Sequence, residues 1–303
     1  MEPNSPLMEQ AAHAALVVAS ANGLAVRSVT PIGGYANFMF KLEPFPIVAR
    51  VAGSANSVRT GGDWLAREVQ VADYLCGIGA PAIQPWRDFL PGPYEHQDRY
   101  LTFWEYFEPS RQTVSPRQLG SALSRLHEAL KGYDAELPAM GALDEAWAIL
   151  DRPDLQGRLA SDDMALIVRT SEQVRNRLSG YDMWFRPLHG DAHHGNLWPT
   201  DAGLIWGDFE DAHLGPIEWD LACMTASSMV FGQGAAAEAA RPVEAPPPGW
   251  VRMKPMVEVH AEATHVRPTD LETAMLSGWA EWVRTTRSIE RLSMTAVHSR
   301  RHS

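Results

Sequence analysis

Between Pro187 and Ala222 the chain reads Pro-Leu-His-Gly-Asp-Ala-His-His-Gly-Asn-Leu-Trp, then Pro-Thr-Asp-Ala-Gly-Leu-Ile-Trp-Gly-Asp-Phe-Glu-Asp-Ala-His-Leu-Gly-Pro-Ile-Glu-Trp-Asp-Leu-Ala. No other stretch restricts fold and chemistry so tightly. Asp191 and Asn196 stand five apart in a loop rich in glycine and histidine. Asp208 follows an apolar run, Leu204-Ile205-Trp206, that predicts a short strand. Phosphoryl transfer from a nucleotide asks for this arrangement. One carboxylate takes the proton of the attacking hydroxyl, while a neutral oxygen and a second carboxylate hold Mg²⁺ against the phosphates. Taken singly, an Asp or Asn in a glycine-rich loop is turn chemistry. The joint order is what points to a site.

His189-Gly190-Asp191 with Asn196, then Asp208-Phe209 and Trp219-Asp220-Leu221-Ala222, resembles the aminoglycoside phosphotransferase/choline kinase-like family. Members of that family share the protein-kinase fold and phosphorylate small molecules. The resemblance covers about residues 31–222. It implies Asp191 as catalytic base, Asn196 and Asp208 as Mg²⁺ ligands, and His189 and Asp220 as braces of the catalytic loop. It also implies a two-lobed α+β, protein-kinase-like fold. A small β-rich nucleotide-binding lobe would span 1–106, and a larger, mainly helical catalytic and substrate-binding lobe 107–303. His189, His193 and His194 also admit a zinc reading, but the oxygen donors of Asn196 and Asp208 suit Mg²⁺ better.

Further upstream, Gly33-Gly34 precedes a strand with Phe38 and Phe40 on one face. Such a hairpin can lay backbone N–H groups over phosphates, although Gly-Gly is also ordinary hairpin punctuation. The resemblance assigns Gly33, Gly34 and Asn37 to the nucleotide loop. On the next strand, Ile47–Val51, the kinase fold carries a lysine that meets the phosphates and a helix glutamate. Arg50 stands there instead. Only three lysines (Lys41, Lys131, Lys254) occur among the 26 basic residues, so the swap follows the composition of the whole chain. Arg and Lys still differ in donor geometry. Glu68, on a helix expected at 64–76, is the candidate partner of Arg50 unless it merely faces solvent; Lys41 is the lesser substitute for the phosphate-binding lysine. Tyr100–Phe107 is β-rich, and the resemblance makes it the strand and hinge where backbone groups of Trp104, Glu105 and Tyr106 meet adenine.

The remaining elements are ordinary. Periodicity predicts helices at 8–22, stopped by Gly23, at 116–130, at 163–180, at 221–231 and at 269–291. Short strands are expected at 26–30 and 86–90, with a hairpin tip at 91–98. His127, in a Leu-x-x-Leu-His pattern, reads as structural. The acidic stretch 134–163 reads as solvated faces in preference to a lining for a cationic acceptor, and 241–249, with four prolines, must be a loop.

With 303 residues, 45% hydrophobic and 21% charged, the chain has the composition of a globular protein with room for two lobes. A net charge of -11 argues against a nucleic-acid partner. Two cysteines and no long apolar run imply a cytoplasmic enzyme with no membrane partner. The function expected is transfer of the γ-phosphate of ATP or GTP to a hydroxyl of a small molecule. A cationic antibiotic such as an aminoglycoside is one such acceptor, which would make the enzyme one of antibiotic resistance. A choline- or sugar-type metabolic kinase is the alternative within the class. A nucleotide-binding pseudokinase, with Arg50 as its warrant, is the alternative outside it. Fold analogy does not choose the acceptor, and the sequence carries no sign of an oligomeric state.

Overall fold

A computed structural model describes residues 5–34, 37–53, 59, 61–151, 161–178, 184–230 and 258–260. The loop expected at 241–249, the helix at 269–291 and Phe231 lie outside them.

Helix α1 (Pro6–Ala21) begins on Ser5, whose hydroxyl accepts from the Met8 N–H at 3.3 Å, with Pro6 preset for the first turn. Its buried face is mostly alanine (Ala11, Ala14, Ala15, Ala19), which lets the helix lie close on the sheet it covers. That sheet is antiparallel. It comprises β1 (Ser28–Gly33), β2 (Phe38–Glu43), β3 (Ile47–Val51), β4 (Tyr94–His96) and β5 (Arg99–Glu105), in the order β1-β2-β3-β5-β4. On β2 the period of two puts Phe38, Phe40 and Leu42 in the core, while β3 is buried along its whole length. Gln97 and Asp98, at φ 50° and 59°, make the tight β4–β5 turn that the strand twist favours. Helix α2 (Asp63–Gly77) bridges β3 and β4.

The strand expected at 86–90 is not formed. Trp86 gives one ladder-like bond, N–H to the Phe103 carbonyl at 3.0 Å, and Phe89 meets Phe103 edge-on at 5.2 Å. Its aromatic side chains cover the sheet instead of extending it. Similarly, β1 begins two residues later than the expected Val26.

In the second half, α3 (Pro116–Leu130) opens with a reciprocal cap between Ser115 and Gln118. It is followed by α4 (Gly141–Leu150) and α5 (Ser161–Leu178). Two small ladders come next. β6 (Arg186–Leu188) pairs with β9 (His213–Gly215), and β7 (Leu197–Thr200) pairs with β8 (Gly203–Trp206). Helix α6 (Ile217–Val230) starts four residues before the expected Leu221, so Asp220 lies in its first turn. Fully buried Trp206 donates its indole N–H to the Ala122 carbonyl at 3.3 Å, tying the β7–β8 hairpin to α3.

Two apolar cores result. One joins α1 to the sheet; the other joins α3, the small ladders and α6. The second core also takes Val48, Trp104 and the α2 residues Val69, Val71, Ala72 and Leu75, so α2 connects the two halves. Asp134, Glu136, Asp144, Asp151 and Asp162 of the acidic stretch are exposed. Among the described residues, no helix is long and apolar enough to cross a membrane.

Candidate active site

Strand β6 delivers the chain into the loop 189–196. At Gly190 (φ 85°) a Cβ would overlap the Asp211 carbonyl oxygen, so only glycine allows this approach. His189 is buried between Trp206 and Phe209. Its Nε2–H donates to the Gly207 carbonyl at 3.0 Å, and its Nδ1 accepts the Asp191 N–H at 3.3 Å; the network fixes that tautomer. With both ring nitrogens engaged, His189 is spent as a zinc ligand. Among the described residues, no group of three His, Cys, Asp or Glu side chains could hold a metal ion.

Asp220 holds the loop from below. Its two oxygens accept the N–H of Gly190 at 2.9 Å and of His189 at 3.0 Å, and one of them also faces His127 Nε2 at 2.9 Å. Burial alone would raise the Asp220 carboxyl, but the His127 hydrogen bond outweighs it and holds it below the ordinary range. Trp219, next to it, donates its indole N–H to the Gly190 carbonyl at 2.7 Å. The Asp191 carboxylate lies 3.5 Å from His193 Nε2. The Asn196 side chain donates one Nδ2 N–H to the Asp191 carbonyl at 3.0 Å, and the amide oxygen is its other polar atom.

Asp208 follows β8 at φ 66° and ψ 52°. A left-handed backbone is uncommon for a residue with a side chain and marks a position worth explaining. Arg50 meets it there. One guanidinium nitrogen donates to Glu68 Oε1 at 2.6 Å, and the other to Asp208 Oδ1 at 2.7 Å and to Glu210. Glu68 is only 1% exposed and therefore does not face solvent. Lys41 lies elsewhere, over the Tyr106 ring at 4.2 Å and beside Glu43 at 3.8 Å.

Arg50 is shared among three carboxylates, of which Glu210 also has Arg59 at 3.2 Å. Burial opposes its charge, yet Asp208, Glu68 and Glu210 together hold the guanidinium above its ordinary value. Burial in turn pushes Glu68 up to about 8 and Glu210 up to about 7, against the pull of Arg50. This surplus of carboxylate is what a hard divalent cation relieves, and carboxylate with amide oxygen is its preferred donor set. Asp208 and Asn196 fit such an ion.

At the β1–β2 connection, Gly33 and Gly34 take φ 138° and 111°, and a Cβ on Gly34 would overlap the Asn37 carbonyl oxygen. Asn37 is buried at the root of this hairpin, donating to Glu210 at 3.1 Å and accepting the Gly53 N–H at 3.3 Å. At the end of β5 two of the expected donors are already used. The Glu105 N–H goes to the Gln84 carbonyl at 2.9 Å and the Tyr106 N–H to the Pro46 carbonyl at 2.8 Å, while the Trp104 side chain is in the core.

The structure adds residues that the sequence reading passed over. Arg59 donates to Glu145 on α4 at 2.7 Å and to Asp211, and lies 3.2 Å from Glu210. Arg67 donates to the Glu210 carbonyl at 2.6 Å. His260 faces His127 Nδ1 at 2.9 Å. The signal for Glu210 and Asp211 was their adjacency to Asp208-Phe209; Arg59, Arg67 and His260 belong to no motif, and Glu145 departs from the solvated reading of the acidic stretch, because Arg59 holds it at 2.7 Å.

The model of the phosphotransferase enzyme family matches residues 6–256. No curated protein matches the chain by sequence. Solved structures show the same fold at low identity. The amicoumacin kinase hAmiN, in complex with AMP-PNP, Ca²⁺ and its ligand Ami, superposes with a TM-score of 0.59 at 14% identity, covering 91% of this chain and 93% of that one. The GDP complex of aminoglycoside 2'-phosphotransferase-IIIa gives 0.57 at 13%, covering 95% and 92%. Choline kinase LicA from Streptococcus pneumoniae gives 0.54 at 13%, covering 93% and 99%. The β-rich first half and the helical second half are therefore the two parts of a protein-kinase-like α+β fold.

Proposed function

We propose that this chain, which belongs to the phosphotransferase enzyme family and is a small-molecule kinase, moves the γ-phosphate of ATP or GTP to a hydroxyl of its acceptor. The observation that carries the reading is that the Arg50 cluster and the 189–196 loop are tied together, the Gly207 N–H beside Asp208 going to the Asn196 carbonyl at 3.1 Å. Arg50 joins Glu68 of α2 to Asp208, and Asp220 holds the loop that bears Asp191 and Asn196.

The roles follow from the groups available. Asp191 accepts the acceptor's proton as its oxygen bonds to the γ-phosphorus and the bond to the β-phosphate breaks. Asp208 and Asn196 would hold Mg²⁺, which supplies charge neutralisation at the phosphates. Arg50, fixed by Glu68, serves the phosphates in place of lysine, and Gly33, Gly34 and Asn37 shape the loop above them. Because the Glu105 and Tyr106 N–H groups are spent, adenine meets this stretch at its carbonyls or at Phe107.

Amicoumacin, aminoglycoside and choline kinases are all similar in fold. The substrates that these enzymes are named for, with the net charge of -11 here, favour a cationic acceptor. The residues proposed for the base and the metal are all present, which favours catalysis over a pseudokinase. Phosphate transfer from ATP and GTP, screened over aminoglycosides, amicoumacin-like antibiotics, choline and sugars, tests the reading. Transfer to one class, lost in Asp208→Ala with its Mg²⁺-dependent nucleotide affinity, is the expected result. Unchanged Mg²⁺·nucleotide affinity in Asp208→Ala would remove the metal assignment.

A further inference from the structure

Asp220 is a carboxylate and only accepts hydrogen bonds, so the His127 nitrogen facing it, Nε2, carries a proton. A neutral His127 then has a bare Nδ1, which is buried and needs a donor. His260 supplies one. Its Nε2 lies 2.9 Å from His127 Nδ1, the rings meet nearly perpendicular at 85°, and His260 is fully buried. The helical turn 258–260 that carries it begins 38 residues after Asp220 in the chain.

We propose that His260 is a positioning residue for phosphotransfer. Its Nε2–H fixes the His127 tautomer, which fixes the Asp220 carboxylate, which holds the His189 and Gly190 N–H groups and so the loop bearing Asp191. Hydrogen bonds run in one direction along this chain: His260 to His127, His127 to Asp220, with the two backbone N–H groups arriving at the same carboxylate from the other side. Burial holds the His260 ring down at about 3, so it is neutral at working pH and has a single proton to place. Linked hydrogen bonds of this kind strengthen one another in a dry interior. A C-terminal segment far from the loop in sequence thereby sets its orientation, where a small displacement of the reacting groups is costly in rate.

The inference rests on the Asp191 loop being the seat of transfer, and one arm of its test does not use activity. His260→Gln can place an amide N–H where Nε2–H was; His260→Leu cannot, and His260→Asn, one carbon shorter than Gln, falls short of His127. Expected is a fall in kcat of about ten- to a hundredfold in His260→Leu and His260→Asn with nucleotide KM within about twofold, and recovery to within about threefold of wild type in His260→Gln. The imidazole ¹⁵N signals of His127 should show a protonated Nε2 and a bare, hydrogen-bonded Nδ1 in the wild type, with Nδ1 shifted in His260→Leu. Two activity outcomes overturn the proposal: kcat within about twofold of wild type in His260→Leu, or equal loss in Leu and Gln variants with equal loss of Tm, which is packing alone. An unshifted His127 Nδ1 overturns it whatever the activity. If no acceptor is phosphorylated at all, the phosphotransfer reading fails while the ¹⁵N arm still decides the hydrogen-bond chain.

Discussion

Arg50 has a fork where the kinase pattern has a point charge, and the site uses both prongs. One nitrogen serves Glu68 and the other serves Asp208 and Glu210. A lysine there has one head and cannot meet carboxylates on both sides with the same geometry. Arg50→Ala should therefore weaken nucleotide binding and slow transfer, Arg50→Lys should keep part of the activity, and a cycle with Glu68→Ala should show coupling of about 0.5–3 kcal/mol. Additive effects in that cycle would mean the pair does not act as a unit. A second residue-scale prediction concerns pH. The His260 ring is held at about 3 when folded, against an ordinary 6.5. The unfolded chain therefore binds the extra proton between those values, and stability is lost as pH falls through that window. Relative to His260→Gln, which does not titrate, the wild type should lose up to about 1.4 kcal/mol per pH unit there. Denaturant melts from pH 6.5 downward check this, and parallel curves would contradict it. The position of Arg50 was readable from its strand. That of His260 was not, because its partner is set by tertiary packing across 133 residues.

Among the elements, Arg59 joins pieces that no local pattern links. From the connection between β3 and α2 it reaches Glu145 on α4 and Glu210 and Asp211 after β8. Its guanidinium is nearly enclosed, and burial opposes its charge while Asp211, Glu210 and Glu145 more than restore it. Removing one member of such a buried group leaves uncompensated charge, so Arg59→Ala should cost about 3–5 kcal/mol of stability. Hydrogen exchange should rise first in α4, which lies across this contact. Loss of under about 0.5 kcal/mol, the range of ordinary surface positions, would show that the cluster is slack. Elements with strong local signals were legible: β3 and α3 occur at the residues that the apolar pattern predicted. The segment 86–90 misled because its aromatic residues suit a strand as well as a loop that covers one. Helix α6 starts before its apolar periodicity shows, because Pro216 stands at the helix entrance, where a fixed φ suits the first turn.

For the whole molecule, the two cores meet along α2, whose Glu68 faces Arg50 while its Val69, Ala72 and Leu75 pack with the second half. The two-part fold was foreseeable from the motif run alone, since that run belongs to one architecture. The arginine and carboxylate cluster between the halves was not, since ionic partners distant in sequence leave no periodic trace. Its surplus of carboxylate is the reason metal and nucleotide are expected to stabilise the protein together. Mg²⁺·nucleotide should raise Tm in the wild type and not in Asp208→Ala, by mass action on the folded state. The account as a whole turns on Asp191. Steady-state transfer from ATP to the acceptor found by screening, with nucleotide affinity measured alongside, should show kcat down by about 10²–10⁴-fold in Asp191→Asn and affinity nearly unchanged. An Asp191→Asn enzyme that keeps more than about a tenth of wild-type kcat would contradict it.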